Sequence, residues 1–488
     1  MVFNSYSFLI FFVIVFIVYY LPISRKNPLF QNCWILLASY FFYGYADWRM
    51  IPLLVGATIV FYFLGGLLRR EMDKGNKKNA SRLTTLSVVL GIGLLFYFKY
   101  LNFFAASFAE VLQAVGLQVS WSTLNIVLPV GVSFFTFKLI SYVIEIHREH
   151  IMPSDNGIEF AAYIAFFPTI LSGPIDRPDQ FLPQLRRVHT LDHPLAVDGC
   201  RQILWGLFTK LCIADNLAII TEQAWTSYTS ASSTLLLLAA VLYPIQLYAD
   251  FDGYSNMAIG VGKIMGFKIT RNFNHPFLAR NMAEYWRRWH MSLTSWITDY
   301  VFMPLNIAFR EMSNWGIAFA ALINLIVIGF WHGANWTYGV FGLYHGLLFF
   351  PLIFSGAFAK RKKLKVGNYG LPKGQDFLKM IATYGLVSLG LVIFRAPSIG
   401  EALAFLSGLF TNGLTGQPIT DNYGKLYCLF AIILFALEWI QRDKEHALQL
   451  SGKYFTHSRI LRWALYLMLI MLIITFTGHS QAFIYFQF

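Results

Sequence analysis

Runs of apolar residues long enough to cross a lipid bilayer recur along the whole of this chain, and they leave few folds open. A helix needs about 20 such residues to span the hydrocarbon core. Candidates lie near 7–23, 33–46, 51–68, 85–107, 124–146, 200–221, 233–249, 316–331, 338–357, 377–395, 424–440 and 461–478. Segments near 159–174, 254–267, 291–309 and 400–411 are too short or too polar to assign. They suit re-entrant or interfacial pieces, which are tolerated where protein buries them. A bilayer offers the backbone no hydrogen-bonding partner, so spanning segments of this length must be helices. The expected fold is therefore all-α and polytopic, with about 11–13 crossings. The first run, "SFLIFFVIVFIVYYLP", lacks a positive leader region and a small-residue cleavage site, so it reads as a retained helix.

Only 13% of the 488 residues are charged, against about 25% in a soluble domain. Length then counts helices, and residues 1–488 read as a single membrane-embedded domain. The net charge of +13 does not call for nucleic acid, because Lys and Arg accumulate in the cytoplasmic loops of membrane proteins. That rule places Arg69–Lys78, Arg186–His193, Arg287–His290 and Lys360–Lys365 in the cytoplasm, with Ser24–Lys26 in agreement. Both termini then fall on the extracytoplasmic side. Cys33, Cys200, Cys212 and Cys428 show no pairing or metal-ligand spacing and read as small core residues.

The polar stretches carry the chemistry. The densest runs from Gln246 to Pro304 and opens with Asp250 and Asp252 at the end of an apolar run. A lone carboxylate in a bilayer is costly, so these acids must line a cavity or pair with a base. No further acid or His follows at metal-ligand spacing, and no metal is expected. "GVGKIMG" fails as a phosphate loop, since Ile264 stands where Ser or Thr is required, and tight helix packing or a re-entrant turn explains its glycines better. "AEYWRRWHMSLTSWITDY" (283–300) reads as one amphipathic helix with Trp286, Trp289, Leu293 and Trp296 on a stripe. Glu284 can pair with Arg287 and Arg288, and Arg287 shares a face with His290. The two arginines suit either a lipid-headgroup anchor or a phosphorylated donor. "FFPTILSGPIDRPDQF" (166–181) is broken by Pro168, Gly173, Pro174 and Pro178, and Asp176 can pair with Arg177.

The last stretch is "FWHGANWTYGVFGLYHG" (330–346), after an apolar run with a single Asn. His332 closes that run before Gly333, and His345 falls within the next helix. A buried His is commonly a hydrogen-bonded core residue. Neutral imidazole is also the side chain best matched to taking a hydroxyl proton near pH 7. Gly339, Gly342 and Gly346 allow a neighbouring helix to approach closely.

"QLYADFDGYSNMAIG", "NFNHPFLARNMAEYWRRWHMSLTSWITDYVFMPL", "FWHGANWTYGVFGLYHG", "FFPTILSGPIDR" and the terminal "FIYFQF" together resemble bacterial membrane-bound O-acyltransferases (MBOAT). The likeness is greatest to the alginate O-acetylation, AlgI-like branch, with the D-alanyl-transferring, DltB-type branch more distant. It covers nearly the whole chain and is dense over 125–350. The resemblance implies tilted helices around a thin central reaction chamber in a bacterial inner membrane. It implies catalysis at His332 and a catalytic or site-lining role for His290. It also implies transfer of an acyl group, acetyl in the AlgI-like branch, to an extracytoplasmic glycan. The donor would be acetyl-CoA or a carrier-protein thioester, with no tightly bound cofactor. A periplasmic SGNH-type protein would receive the acetyl group.

These expectations combine into a mechanism. A thioester enters near "RNMAEYWRRWH", and His332 takes the acceptor's proton as its oxygen attacks the acyl carbonyl. His290 orients the reacting groups, with Tyr285 and Asn335 as further positioning candidates. Arg287, Arg288, Asp250 and Asp252 are candidate donor or substrate contacts. No Ser-His-Asp order or nucleophile elbow is present. The rival classes are D-alanyl transfer, a transporter or flippase that moves protons through Asp250, Asp252 and the histidines, and a scaffold that only recruits a periplasmic enzyme.

Overall fold

The computed structural model describes residues 1–23, 27–117, 126–360, 370–414, 422–450, 458–477 and 483. The expectations for Ser24–Lys26, for all of the Lys360–Lys365 cluster beyond Lys360, and for the terminal "FIYFQF" apart from Phe483 lie outside the described residues. The described residues are mostly helical, with no strand among them, and their internal contacts divide the chain into two units. One holds residues 1–203 and 257–270, the other 204–256 and 271–488.

The first unit contains α1 (Tyr6–Tyr19), α2 (Pro28–Asp47), α3 (Ile51–Asp73), α4 (Lys77–Leu95), α5 (Leu101–Ala114), α6 (Val132–His147), α7 (Gly157–Ala165) and α8 (Pro178–Leu185). Local signals set the boundaries. Ser5 Oγ accepts from the Phe8 amide at the start of α1, and Asn27 Oδ1 accepts from Leu29 at the start of α2, each satisfying an orphan helix-end donor. Almost every side chain of α6 is buried, including Lys138, whose ammonium donates to Thr169 Oγ1 at 2.9 Å and to the Tyr163 carbonyl at 3.3 Å. Segment 159–174 is buried throughout: α7 covers its first half, and turns follow. Gly131, at φ 74°, lets the entry to α6 approach these turns, since a Cβ there would stand 2.3 Å from the Ile170 carbonyl oxygen. Asp176 does not depend on Arg177 as its partner. Its Oδ1 accepts from the Thr270 amide at 2.9 Å. Burial raises its carboxyl to about 6, against the opposing pull of Lys138.

Then follow α9 (His193–Phe208), α10 (Asp215–Thr226) and α11 (Ser233–Ile264); α9 and α11 each contribute to both units. Segment 254–267, too polar to assign from sequence, is largely the second half of α11, which runs unbroken for 32 residues. Its glycines serve packing, as expected: a Cβ on Gly260 would stand 2.6 Å from the Gly199 carbonyl oxygen.

The second unit continues with α12 (Met282–Trp286), α13 (Met291–Ile297), α14 (Met303–Ala308), α15 (Ser313–His332), α16 (Trp336–Leu347), α17 (Phe350–Phe354), α18 (Gly374–Arg395), α19 (Ile399–Thr411), α20 (Asn422–Ile440) and α21 (Arg459–Phe476). α15 and α16 cross with almost no side chain between them. A Cβ on Gly342 would lie 2.4 Å from the Leu325 carbonyl oxygen, and one on Gly329 would lie 2.1 Å from that of Tyr338.

Among the described residues, eight helical runs are long and apolar enough to cross a membrane, fewer than the expected crossings. Residues 28–73 form one helical run where the apolar pattern suggests two spans, α1 is apolar but short, and the spans expected near 124–146 and 424–440 are not among the eight. The protein is a multi-pass membrane protein.

Candidate active site

The single amphipathic helix expected over 283–300 does not form. α12 ends at Trp286, and α13 begins at Met291. His290 sits at the break with φ 44°, in the left-handed region that a non-glycine residue enters only when its surroundings hold it there. The holder is Asn272. Its carbonyl accepts from the Met291 amide at 2.7 Å, and its Oδ1 accepts from Ser292 Oγ at 2.9 Å. Its Nδ2 donates to Ser255 Oγ at 3.1 Å. All four side chains of this clamp, those of Asn272, Ser255, Ser292 and His290, are buried. Because of the break, Arg287 and His290 do not share a helix face.

The clamp delivers His290 to His332. His332 is the last residue of α15, where Gly333 turns the backbone to an extended φ of −171°. The two imidazole centroids lie 6.4 Å apart with the rings at 66°. Phe251 packs edge-on against His290 at 4.7 Å, and Phe394 packs edge-on against His332 at 5.1 Å. Trp331 lies near both rings, at 5.7 and 5.1 Å. His290 is fully buried, and burial pushes its imidazole down to about 3, so it is neutral at any physiological pH. Two buried imidazoles, one of them held neutral, thus lie side by side inside apolar walls, an arrangement that can do acid–base chemistry.

Two cavities are lined by residues of α12 and of the turn that leads from it to His290. One, of about 610 Å³, is lined by Arg280, Glu284, Arg287, Arg288, Lys360, Asp376 and Lys379. Its acids are already engaged. Glu284 accepts from Arg280 at 3.0 Å and from Arg288 at 2.9 Å. Burial alone would raise the Glu284 carboxyl, but the Arg280 hydrogen bonds and the Arg288 charge hold it below its ordinary value. Five cations against two acids leave this cavity positive. The second, of about 310 Å³, is mostly apolar and runs along α15 past Ala321, Asn324, Leu325 and Ile328. Arg287 lines both, with one guanidinium nitrogen on the Phe358 carbonyl at 3.3 Å.

The other candidates have different surroundings. Tyr285 is buried and stacks on Trp289 at 5.5 Å. Asn335 caps α16 through the Thr337 amide at 3.1 Å and ties it to the Pro397 carbonyl at 2.8 Å. Asp250 pairs with Lys210 at 2.5 Å, and Lys210 also reaches Asp215 at 2.8 Å, all three buried. Asp252 accepts from Asn256 at 2.7 Å, close to Arg271 and Glu438, and Tyr248 donates to Glu438. His345 is fully buried and its Nδ1 accepts from the Trp286 indole at 3.3 Å, a packing role consistent with its place inside α16. Sequence reasoning missed Asn272, Lys210, Glu438 and Lys379. Lys210 and Glu438 carried a signal, each as a charge inside an apolar run.

A family model described as MBOAT, membrane-bound O-acyltransferase family, matches residues 147–366, which contain both histidines and the clamp. The chain is 36% identical over 421 residues to a protein described as probable alginate O-acetylase AlgI of Pseudomonas aeruginosa, covering 85% of this chain and 75% of that one. The chain belongs to the membrane-bound O-acyltransferase family. It is also 31% identical over 422 residues to the peptidoglycan O-acetyltransferase of Helicobacter pylori, covering 81% and 76% of the two chains. A teichoic acid D-alanyltransferase of Streptococcus thermophilus matches at 31% over 317 residues, or 60% of this chain and 75% of its own. The protein is an O-acyltransferase, and its histidine pair lies inside the family region.

Asn272→Ala removes the side-chain bonds to Ser292 and Ser255, so His290 can relax from its left-handed turn. Turnover is expected to fall about tenfold with the donor KM unchanged, the cost of roughly one buried hydrogen-bond pair. Steady-state kinetics on purified protein decide it. A KM change without a kcat change would place the role of Asn272 elsewhere.

Proposed function

We propose that the whole chain, residues 1–488, acts as one O-acetyltransferase that moves acetyl from a cytoplasmic thioester to an extracytoplasmic polysaccharide. The observation that carries this reading is the buried His290–His332 pair, reached from α12 by a turn whose residues line a positive cavity and an apolar one. His332 takes the acceptor's proton while its oxygen attacks the thioester carbonyl, and the proton passes to the departing thiolate as the carbon–sulfur bond breaks. Neutral His290 orients the reacting groups. Apolar walls strengthen each of these interactions by excluding water.

Acetyl is favoured over D-alanyl because O-acetylating relatives match over 81–85% of this chain and the D-alanyltransferase over 60%. The donor carries phosphate, which suits Arg287, Arg288, Arg280 and Lys379, and acetyl-CoA supplies it. The apolar cavity along α15 then takes the donor's pantetheine arm. The positive-inside rule puts the basic segments 69–78, 186–193 and 287–290 in the cytoplasm of an inner-membrane protein with both termini outside. A periplasmic SGNH-type partner accepts the acetyl group, and the chemistry needs no tightly bound cofactor.

Inside-out vesicles supplied with radiolabelled acetyl-CoA test the proposal. Label should appear on lumenal polysaccharide or on the partner. Arg287→Gln should raise the donor KM about tenfold, the loss of one charged hydrogen bond, with kcat within twofold. Label that stays wholly on the donor side would reject transfer across the membrane.

A further inference from the structure

Asn324 is the polar residue inside the apolar run of α15, and it lines the 310 Å³ cavity. Its Oδ1 is closed off from solvent and has no hydrogen-bond partner. That is unusual, because a polar side chain within a membrane helix ordinarily bonds across to a neighbour, and an unmet amide is costly in an apolar setting. The other neutral polar groups along the cavity are satisfied. Thr294 Oγ1 donates to the His290 carbonyl at 2.9 Å, and Thr298 Oγ1 donates to the Thr294 carbonyl at 2.6 Å. The Trp286 indole donates to His345.

Position gives the unmet amide its meaning. Asn324, Ile328 and His332 are spaced four apart on one unbroken helix, so they share a face. Eight residues of helix put Asn324 about 12 Å from His332 along the axis. In an extended pantetheine thioester, the outer of the two amides lies roughly 10 Å from the reacting carbonyl at ordinary bond lengths. An arm with its carbonyl at His332 therefore brings its outer amide level with Asn324. Rotation about the side chain's last bond lets Asn324 present either its carbonyl or its NH₂.

We propose that Asn324 is a specificity-determining residue that hydrogen-bonds the outer amide of the donor's pantetheine arm. The proposal rests on the thioester-donor reading above and names the group by which the arm is held. Threading an apolar cavity would otherwise strip that amide of water with nothing in return.

The test compares two phosphate-free donors, acetyl-pantetheine with both amides and S-acetyl-N-acetylcysteamine with the inner one alone. Thiol release is measured with wild-type protein, Asn324→Leu and Asn324→Ala in detergent. Wild type should prefer acetyl-pantetheine, and both variants should lose about tenfold of that preference in kcat/KM. Their turnover of S-acetyl-N-acetylcysteamine should remain within twofold, which also shows that they are folded. Equal losses on both donors would make Asn324 a structural residue and overturn the proposal, as would an unchanged preference. If wild type turns over neither thioester, the donor reading fails first and takes this inference with it.

Discussion

His332→Ala is expected to abolish acylation, with a loss of at least about a thousandfold, while the protein still accumulates in the membrane. General-base catalysis is ordinarily worth about 10²–10⁴-fold. The upper part of that range is expected because aromatic walls, Phe394 and Trp331 against His332 and Phe251 against His290, disfavour a substituting water. His290 cannot take over, since its ring centroid is 6.4 Å away and burial disfavours its protonation. The fold should survive because His332 closes α15 and is not needed within it. His345→Ala makes the contrast. That imidazole is boxed in by Trp286 and Phe341, so its loss should lower thermal stability and leave activity per folded molecule within a few-fold. Acetyl content of the polysaccharide, normalised to protein in the membrane, measures both. Near-normal acetylation by His332→Ala would remove His332 from the chemistry.

The largest effect on stability belongs to Lys210. Its ammonium stands between Asp215 at 2.8 Å and Asp250 at 2.5 Å, with every partner buried. Replacing it by Met strands two carboxylates away from water. Breaking a buried pair from one side costs about 3–5 kcal/mol, and here two acids lose their partner. Lys210→Met should therefore fail to accumulate, or should unfold in detergent well below the wild-type temperature. The triple variant Lys210→Met, Asp215→Asn, Asp250→Asn should recover most of the loss, because no unpaired charge remains. Thermal unfolding followed by monodisperse chromatography separates these outcomes. If the triple variant transfers acetyl, Asp250 takes no part in donor binding. If it folds yet is inactive, Asp250 belongs to the site.

His332 and the polar character of 246–304 were legible from composition alone, because an imidazole or a carboxylate ending an apolar run is costly and demands a reason. The close crossing of α15 and α16 was legible from the glycine spacing. The break at His290 was not. The 283–300 stripe has sound helical periodicity, and its tryptophans are indeed buried, but Asn272 reaches in from eighteen positions earlier and bends the chain. No local propensity records that hydrogen bond. The partner of Asp250 was equally hidden, since Lys210 lies forty residues away within a separate apolar run.

By itself, then, the sequence determined that this chain must be a helical membrane protein, and that a few costly polar residues would carry its chemistry. Those conclusions follow from the energy of transferring each residue out of water, which depends on residue type and hardly on neighbours. Only the tertiary structure decided which of the costly groups are spent on one another and which face a cavity. Lys210 with Asp250, and Glu438 with Tyr248, satisfy each other. Asn324 instead lines a cavity, and His290 is brought to His332, because pairing depends on distance, and distance between remote residues exists only once the chain is folded.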